Sequence, residues 1–215
     1  MINNEKIKAG EHVAIFGLTG CGKSTLTAQI STLYPRRVIF DRKREWSAAR
    51  AGTRSAHDFE SFARAYGETY ELDNFEILVR PARGTGKQQL EIMAEEIFKL
   101  IALVEEGTNM GIGVILEEAW LYIPATAQPD GWLAESILTG RSDKFAIIAN
   151  AQRPALVAKF FVSQCRHVFI GQFFEARDRE YYRQTLGNLE IPDGLPKQFQ
   201  FYWFMPGQQL ELICV

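Results

Sequence analysis

Near its amino end the chain carries Gly17-Leu18-Thr19-Gly20-Cys21-Gly22-Lys23-Ser24-Thr25, a spacing suited to cradling phosphate groups. Glycines at 17, 20 and 22 permit backbone torsions and a close approach that a β-carbon would block, so successive N–H groups can converge on phosphate oxygens. Lys23 brings a cation to the β- and γ-phosphates, and Ser24 offers a hydroxyl to Mg²⁺. Thr19, Cys21 and Thr25 complete the contact surface of the loop, with Cys21 read as a small residue that fits it.

The chemistry depends on context. The apolar run Val13 to Phe16 leads straight into Gly17, and a helix-compatible segment follows Ser24, so the glycines sit between a strand and a helix whose amino terminus adds partial positive charge. The expectation is a P-loop nucleoside triphosphatase site, with ATP and Mg²⁺ as its cofactors. A second apolar run, Gly113 to Leu116, ends in Glu117 and Glu118. Paired carboxylates at a strand end have distinct tasks open to them: Glu117 to hold the metal through water, Glu118 to polarise the attacking water. Glu117 stands where aspartate is usual. A third run, Ala146 to Ala149, ends in Asn150-Ala151-Gln152-Arg153-Pro154, and spacing alone leaves open whether Gln152 reaches the γ-phosphate.

These residues need a scaffold that brings several strand ends to one crevice. Short apolar runs at 13–16, 38–40, 75–79, 113–116, 146–149 and 168–170 alternate with helical patterns, the rhythm of βαβ units in a mostly parallel sheet with helices on both faces. The clearest helix spans residues 88–105, where Leu90, Met93, Ile97, Leu100, Ile101 and Val104 form one apolar stripe. Residues 198–205 and 208–215 flank Pro206-Gly207 and predict a terminal antiparallel hairpin. The expected fold is therefore α/β, of the RecA-like P-loop type, in a single ATPase domain over residues 1–215. Loops are expected at 80–86 and 124–131.

Composition narrows the class. With 215 residues and 47% hydrophobic content the chain is long enough for one well-buried core. The absence of any long apolar run predicts neither a signal peptide nor a membrane span. Three cysteines at irregular spacing give neither a disulfide framework nor a zinc pattern, and point to a reducing cytoplasm. A net charge of -2 is unlike a stand-alone nucleic-acid binder, yet Arg36, Arg37, Arg42, Lys43, Arg44, Arg50 and Arg54 face only Asp41 and Glu45 in the same stretch. That cluster reads equally as a polyanion surface or as a solvated face offset by Glu91, Glu95 and Glu96.

Taken together, these segments resemble the HerA/FtsK superfamily of ring-forming DNA-translocating ATPases. The likeness rests on the phosphate loop, on Asp41-Arg42-Lys43-Arg44-Glu45 after the second strand, on Glu117-Glu118-Ala119, and on Ala151-Gln152-Arg153-Pro154. It implies that Gln152 senses the γ-phosphate. It also implies an arginine finger just before that strand, for which Arg141 in Gly140-Arg141-Ser142 is the match and Arg80, Arg83 and Arg153 are reserves.

A core this short is similar to the genome-packaging ATPases of tailless, often membrane-containing, icosahedral viruses. The resemblance then implies hydrolysis between subunits of a homo-oligomeric ring and sequence-independent contact with double-stranded DNA through the 36–54 and 80–87 segments. It further implies docking on capsid or viral membrane proteins, in the host cytoplasm or at a virion packaging vertex. Two other readings stay open: a nucleotide-driven assembly factor that acts on protein, and a small-molecule kinase with a mobile lid. The run Phe201-Tyr202-Trp203-Phe204 reads as half-buried strand and subunit contact rather than a base-stacking platform.

Overall fold

The computed structural model describes residues 6–46, 50–106, 108, 110–140, 144–173, 176–187, 189–192 and 196–215. Nine strands form one sheet: β1 (Val13–Phe16), β2 (Arg36–Phe40), β3 (Arg54–Ala56), β4 (Phe75–Val79), β5 (Ile112–Leu116), β6 (Phe145–Ala151), β7 (His167–Ile170), β8 (Gln200–Phe204) and β9 (Glu211–Cys214). Their order is β3-β4-β2-β5-β6-β1-β7-β8-β9. All pairs from β3 through β7 are parallel, and β8 and β9 are antiparallel additions at one edge. The described helices are α1 (Lys23–Ser31), α2 (Phe59–Gly67), α3 (Lys87–Glu105), α4 (Gly131–Thr139), α5 (Lys159–Gln164) and α6 (Ala176–Thr185).

The central strands are apolar without alternation because both faces are covered. Along β1, Val13 and Ile15 join a core with Leu26 and Ile30 of α1, whereas Ala14 and Phe16 face the opposite core, which includes Leu90, Ile97 and Ile101 of α3. Each large side chain buried in this way contributes on the order of 1.5–3 kcal/mol. The α3 stripe behaves as its periodicity predicts: Leu90, Met93, Ile97 and Ile101 are buried, and Leu100 and Val104 pack at the margin. At the hairpin, Gln208 N donates to Met205 O across Pro206-Gly207, with Gly207 at φ 78°, a turn that needs glycine at its third position. Phe201 and Trp203 turn inward from β8, and Tyr202 and Phe204 are half-buried.

Two residues of the basic stretch, Arg36 and Arg37, depart from both expectations made for it, whereas Lys43, Arg44 and Arg54 are exposed. Arg36 and Arg37 are buried at the start of β2, the sheet edge opposite to the one where the phosphate loop emerges. The Arg36 guanidinium donates to both oxygens of Glu105, at 2.5 and 2.7 Å, and Arg37 Nε donates to Glu76 at 2.5 Å. Arg50 is tied to Pro35 O and Asn74. A cluster read by counting charges is thus divided between two ends of the sheet, and part of it is internal ion pairing. The acidic helix is not merely a solvated counterface either: Glu95 on α3 accepts from the backbone amides of Trp132 and Leu133 and so caps α4.

Candidate nucleotide-hydrolysis site

The parallel strands end at one edge, and the residues singled out for their chemistry lie there. Gly17 follows β1 with φ 153°, and a β-carbon on it would stand 2.8 Å from Cys21 Sγ and 3.2 Å from Gly171 Cα. Close packing beneath the loop therefore requires glycine at this position. Cys21 is buried, which gives its thiol a packing role. No side chain among the described residues caps the start of α1, which leaves amides at a positive helix end for an anion. Lys23 folds back across the loop and donates to Leu18 O at 2.9 Å; burial holds its pKa below the ordinary lysine range.

Thr19, Gly20, Gly22, Lys23, Ser24 and Thr25 line one cavity of about 320 Å³, and Glu117, Glu118, Asn150 and Gln152 line the same cavity. Glu117 continues β5 and is 6% exposed. Burial raises its pKa, and the nearby Asp41 charge adds to the shift. A hard cation beside such a carboxylate would favour its ionised form, so the donor set of Ser24 hydroxyl and Glu117 carboxylate fits Mg²⁺.

Glu118 is held in detail. Its backbone is left-handed, with φ 56° and ψ 57°, which turns the chain sharply out of β5. Its amide donates to Asn150 Oδ1 at 3.2 Å, and Asn150 in turn donates to Thr27 Oγ1 on α1 at 3.1 Å. One carboxylate oxygen accepts from Lys43 Nζ at 2.5 Å and the other from Trp120 Nε1 at 2.9 Å. Burial alone would raise the Glu118 pKa, but hydrogen bonds from Lys43, Trp120 and Gln152, with the Lys43 charge, outweigh it and hold the group below the usual carboxylate range. Glu118 stays ionised beside a hydrogen-bonded glutamine. A second cavity of about 720 Å³ shares Lys43, Glu117, Glu118 and Gln152 with the first and extends to Trp120, Arg153 and Leu156.

Asp41, Lys43 and Glu45 after β2 lie at the same edge with separate tasks. Asp41 accepts from Glu45 N and from Arg80 Nε, both at 2.9 Å, which ties Arg80 within its own chain. Arg153 stands 3.9 Å from Asp178, and Arg83 is exposed in the 80–86 loop. Arg141 and Ser142 lie outside the described residues. Three further residues belong to the site without a signal in the apolar-run pattern: Asn150, Trp120 and Phe199, the last of which lines the phosphate cavity from the segment before β8.

Fold and phosphate loop together define a P-loop ATPase domain. The ABC transporter family model matches residues 3–103, just under half of the chain, and ends before β5 and the paired acids. No curated protein matches the sequence. Among solved structures, the chain resembles the genome packaging NTPase B204 from Sulfolobus turreted icosahedral virus 2 in complex with AMPPCP. The TM-score is 0.71 at 13% identity, covering 95% of this chain and 97% of that one. It also resembles VirB4 of Thermoanaerobacter pseudethanolicus (TM-score 0.69, 10% identity, 100% and 93% covered). EssC ATPases 2 and 3 from Geobacillus thermodenitrificans match with TM-score 0.52 and 15% identity over 94% of this chain and 39% of that chain. These likenesses accord with the resemblance read from the four motif segments. At such identities the likeness is one of fold. No helix among the described residues is long and apolar enough to cross a membrane.

Proposed function

We propose that residues 1–215 act as one ATPase domain that hydrolyses ATP with Mg²⁺ and moves double-stranded DNA, as the subunit of a homo-oligomeric genome-packaging ring. The observation that carries this reading is the convergence of the phosphate cradle, Glu118 and Gln152 on one cavity. A cradle alone binds nucleotide; an ionised carboxylate in the same cavity supplies hydrolysis.

In this reading the loop amides and Lys23 grip the phosphates, while Ser24 and Glu117 hold the cation, whose charge offsets that of the triphosphate. Glu118 accepts a proton from the attacking water, and Gln152, bonded to Glu118, senses the γ-phosphate. A neighbouring subunit's Arg141 would complete the site as a finger, a contribution of about 10³ to 10⁵ in rate, and the larger cavity that shares Glu118 and Gln152 with the phosphate site is where it would enter. Contacts with DNA through the exposed Arg83 and Lys87 would be to phosphates, indifferent to sequence and sensitive to salt. The B204 structure, described as that of a DNA-packaging ATPase, supports the assignment by fold.

One observation favours the second reading, an assembly factor that acts on protein in the cytoplasm or at a capsid vertex: burial of Arg36 and Arg37 removes two charges from any DNA-facing surface. ATPase rate with and without long duplex DNA at low salt separates the two. Stimulation that fades as salt rises is expected of the motor, and an indifferent rate with no DNA binding would transfer the assignment to the assembly factor.

A further inference from the structure

Phe199 has no place in the hydrolytic chemistry, yet it is built into the phosphate loop. It precedes β8 in a left-handed backbone conformation, with φ 60°, which a bulky side chain rarely adopts. Hydrogen bonds hold it there: Phe199 N donates to Cys21 O at 2.9 Å and Val215 N donates to Phe199 O at 2.9 Å. The neighbouring Gln198 Nε2 donates to Gly20 O at 3.1 Å. Its ring lies against Gly22 so closely that a β-carbon there would come within 2.7 Å of Cδ1. This aromatic ring is nonetheless 42% exposed, whereas Phe201 and Trp203, the inward residues of β8, are 0% and 1% exposed. Strain retained by surrounding contacts marks positions with a task, and core packing is not the task of a ring left half in water.

Topology indicates which task. In the order β5-β6-β1-β7-β8, Glu118 and Gln152 follow β5 and β6 on one side of the loop that follows β1. Because β8 runs antiparallel, its first residues lie at the same edge, on the other side. A triphosphate with its γ end at Glu118 and Gln152 therefore directs its nucleoside toward β7 and β8. Resting on the nucleotide-site reading above, we propose that Phe199 is the stacking platform for the base of the bound nucleoside triphosphate. It recognises the flat face of the ring and not its hydrogen-bonding edge.

Calorimetric titration of the full chain with Mg-ATP, Mg-GTP and magnesium tripolyphosphate tests this. Base–aromatic stacking predicts that Phe199→Ala weakens ATP and GTP alike by about 5- to 100-fold while tripolyphosphate binding changes less than about twofold. Phe199→Tyr should restore ATP binding, and the fluorescence of Phe199→Trp should change with ATP but not with tripolyphosphate. Unchanged ATP binding in Phe199→Ala would overturn the proposal. So would an equal loss for tripolyphosphate, since Phe199 would then serve only to brace the loop. If the unaltered chain bound neither ATP nor tripolyphosphate, the nucleotide site itself would fall, and the stacking proposal with it.

Discussion

Lys43 and Glu118 join the ends of two neighbouring strands: the Lys43 ammonium, just past β2, donates to Glu118 Oε1 at 2.5 Å beyond β5. With Trp120 on the other oxygen, the carboxylate is anchored at both ends while keeping lone pairs free to accept from water. The pair helps hold the pKa of the residue assigned to activate that water below its ordinary value.

The pH dependence follows. Burial pushes the Glu118 pKa up, and Lys43, with Trp120 and Gln152, brings it below its ordinary value. Replacing Lys43 with methionine leaves burial opposed by weaker partners, so Glu118 must titrate at higher pH. The acid limb of kcat/KM for ATP should move upward in Lys43→Met. A limb that stays in place would mean that Lys43 does not set the ionisation of the base.

The buried ion pairs answer to stability rather than to DNA. Arg36→Ala leaves Glu105 buried without its bidentate partner, although Tyr66 and Thr108 still bond to it. Loss of one partner from a buried pair costs about 3–5 kcal/mol. Urea denaturation should show that loss, while DNA stimulation of any folded fraction stays intact. Unchanged stability with lost stimulation would restore Arg36 to the DNA surface.

Sharing of sites between subunits is tested by mixing Lys23→Ala with Arg141→Ala subunits, each inactive alone. If Arg141 acts across the interface, some mixed interfaces pair an intact loop with an intact finger and activity returns. No recovery where mixed rings demonstrably form would remove Arg141 from that role.

How much of this was legible in the sequence differed by element. The central strands, α1, α3 and the terminal hairpin announce themselves by apolar runs, by the stripe through Leu90, Ile97 and Ile101, and by Pro206-Gly207. The smaller helices do not. α6 is dominated by charged and polar side chains, and α5 spans only Lys159–Gln164, too short for periodicity to register. α2 carried a start signal, Asp58 accepting from Ser61 N at 2.8 Å, that an apolar-run reading passes over.

At the site, Lys23 and Ser24 were readable from the glycine spacing that opens α1, and Glu117, Glu118 and Gln152 because each follows an apolar strand. Asn150, Trp120 and Phe199 were not, because their roles depend on contacts between distant segments. Arg36 and Arg37 were misread for a related reason: a charge count cannot see Glu105 and Glu76 arriving from other elements. Arg141, named from the resemblance, lies outside the described residues.

The proposed mechanism requires Glu118 to act as the base of a hydrolytic site rather than as a support of its walls. Single-turnover phosphate release from bound ATP, compared between the unaltered chain and Glu118→Gln with nucleotide affinity measured in parallel, tests this directly. The glutamine keeps hydrogen-bonding capacity but cannot take a proton, so affinity should stay within about threefold while release slows by about 10² to 10⁴. Release at the unaltered rate by a fully loaded Glu118→Gln would show that Glu118 is not the base.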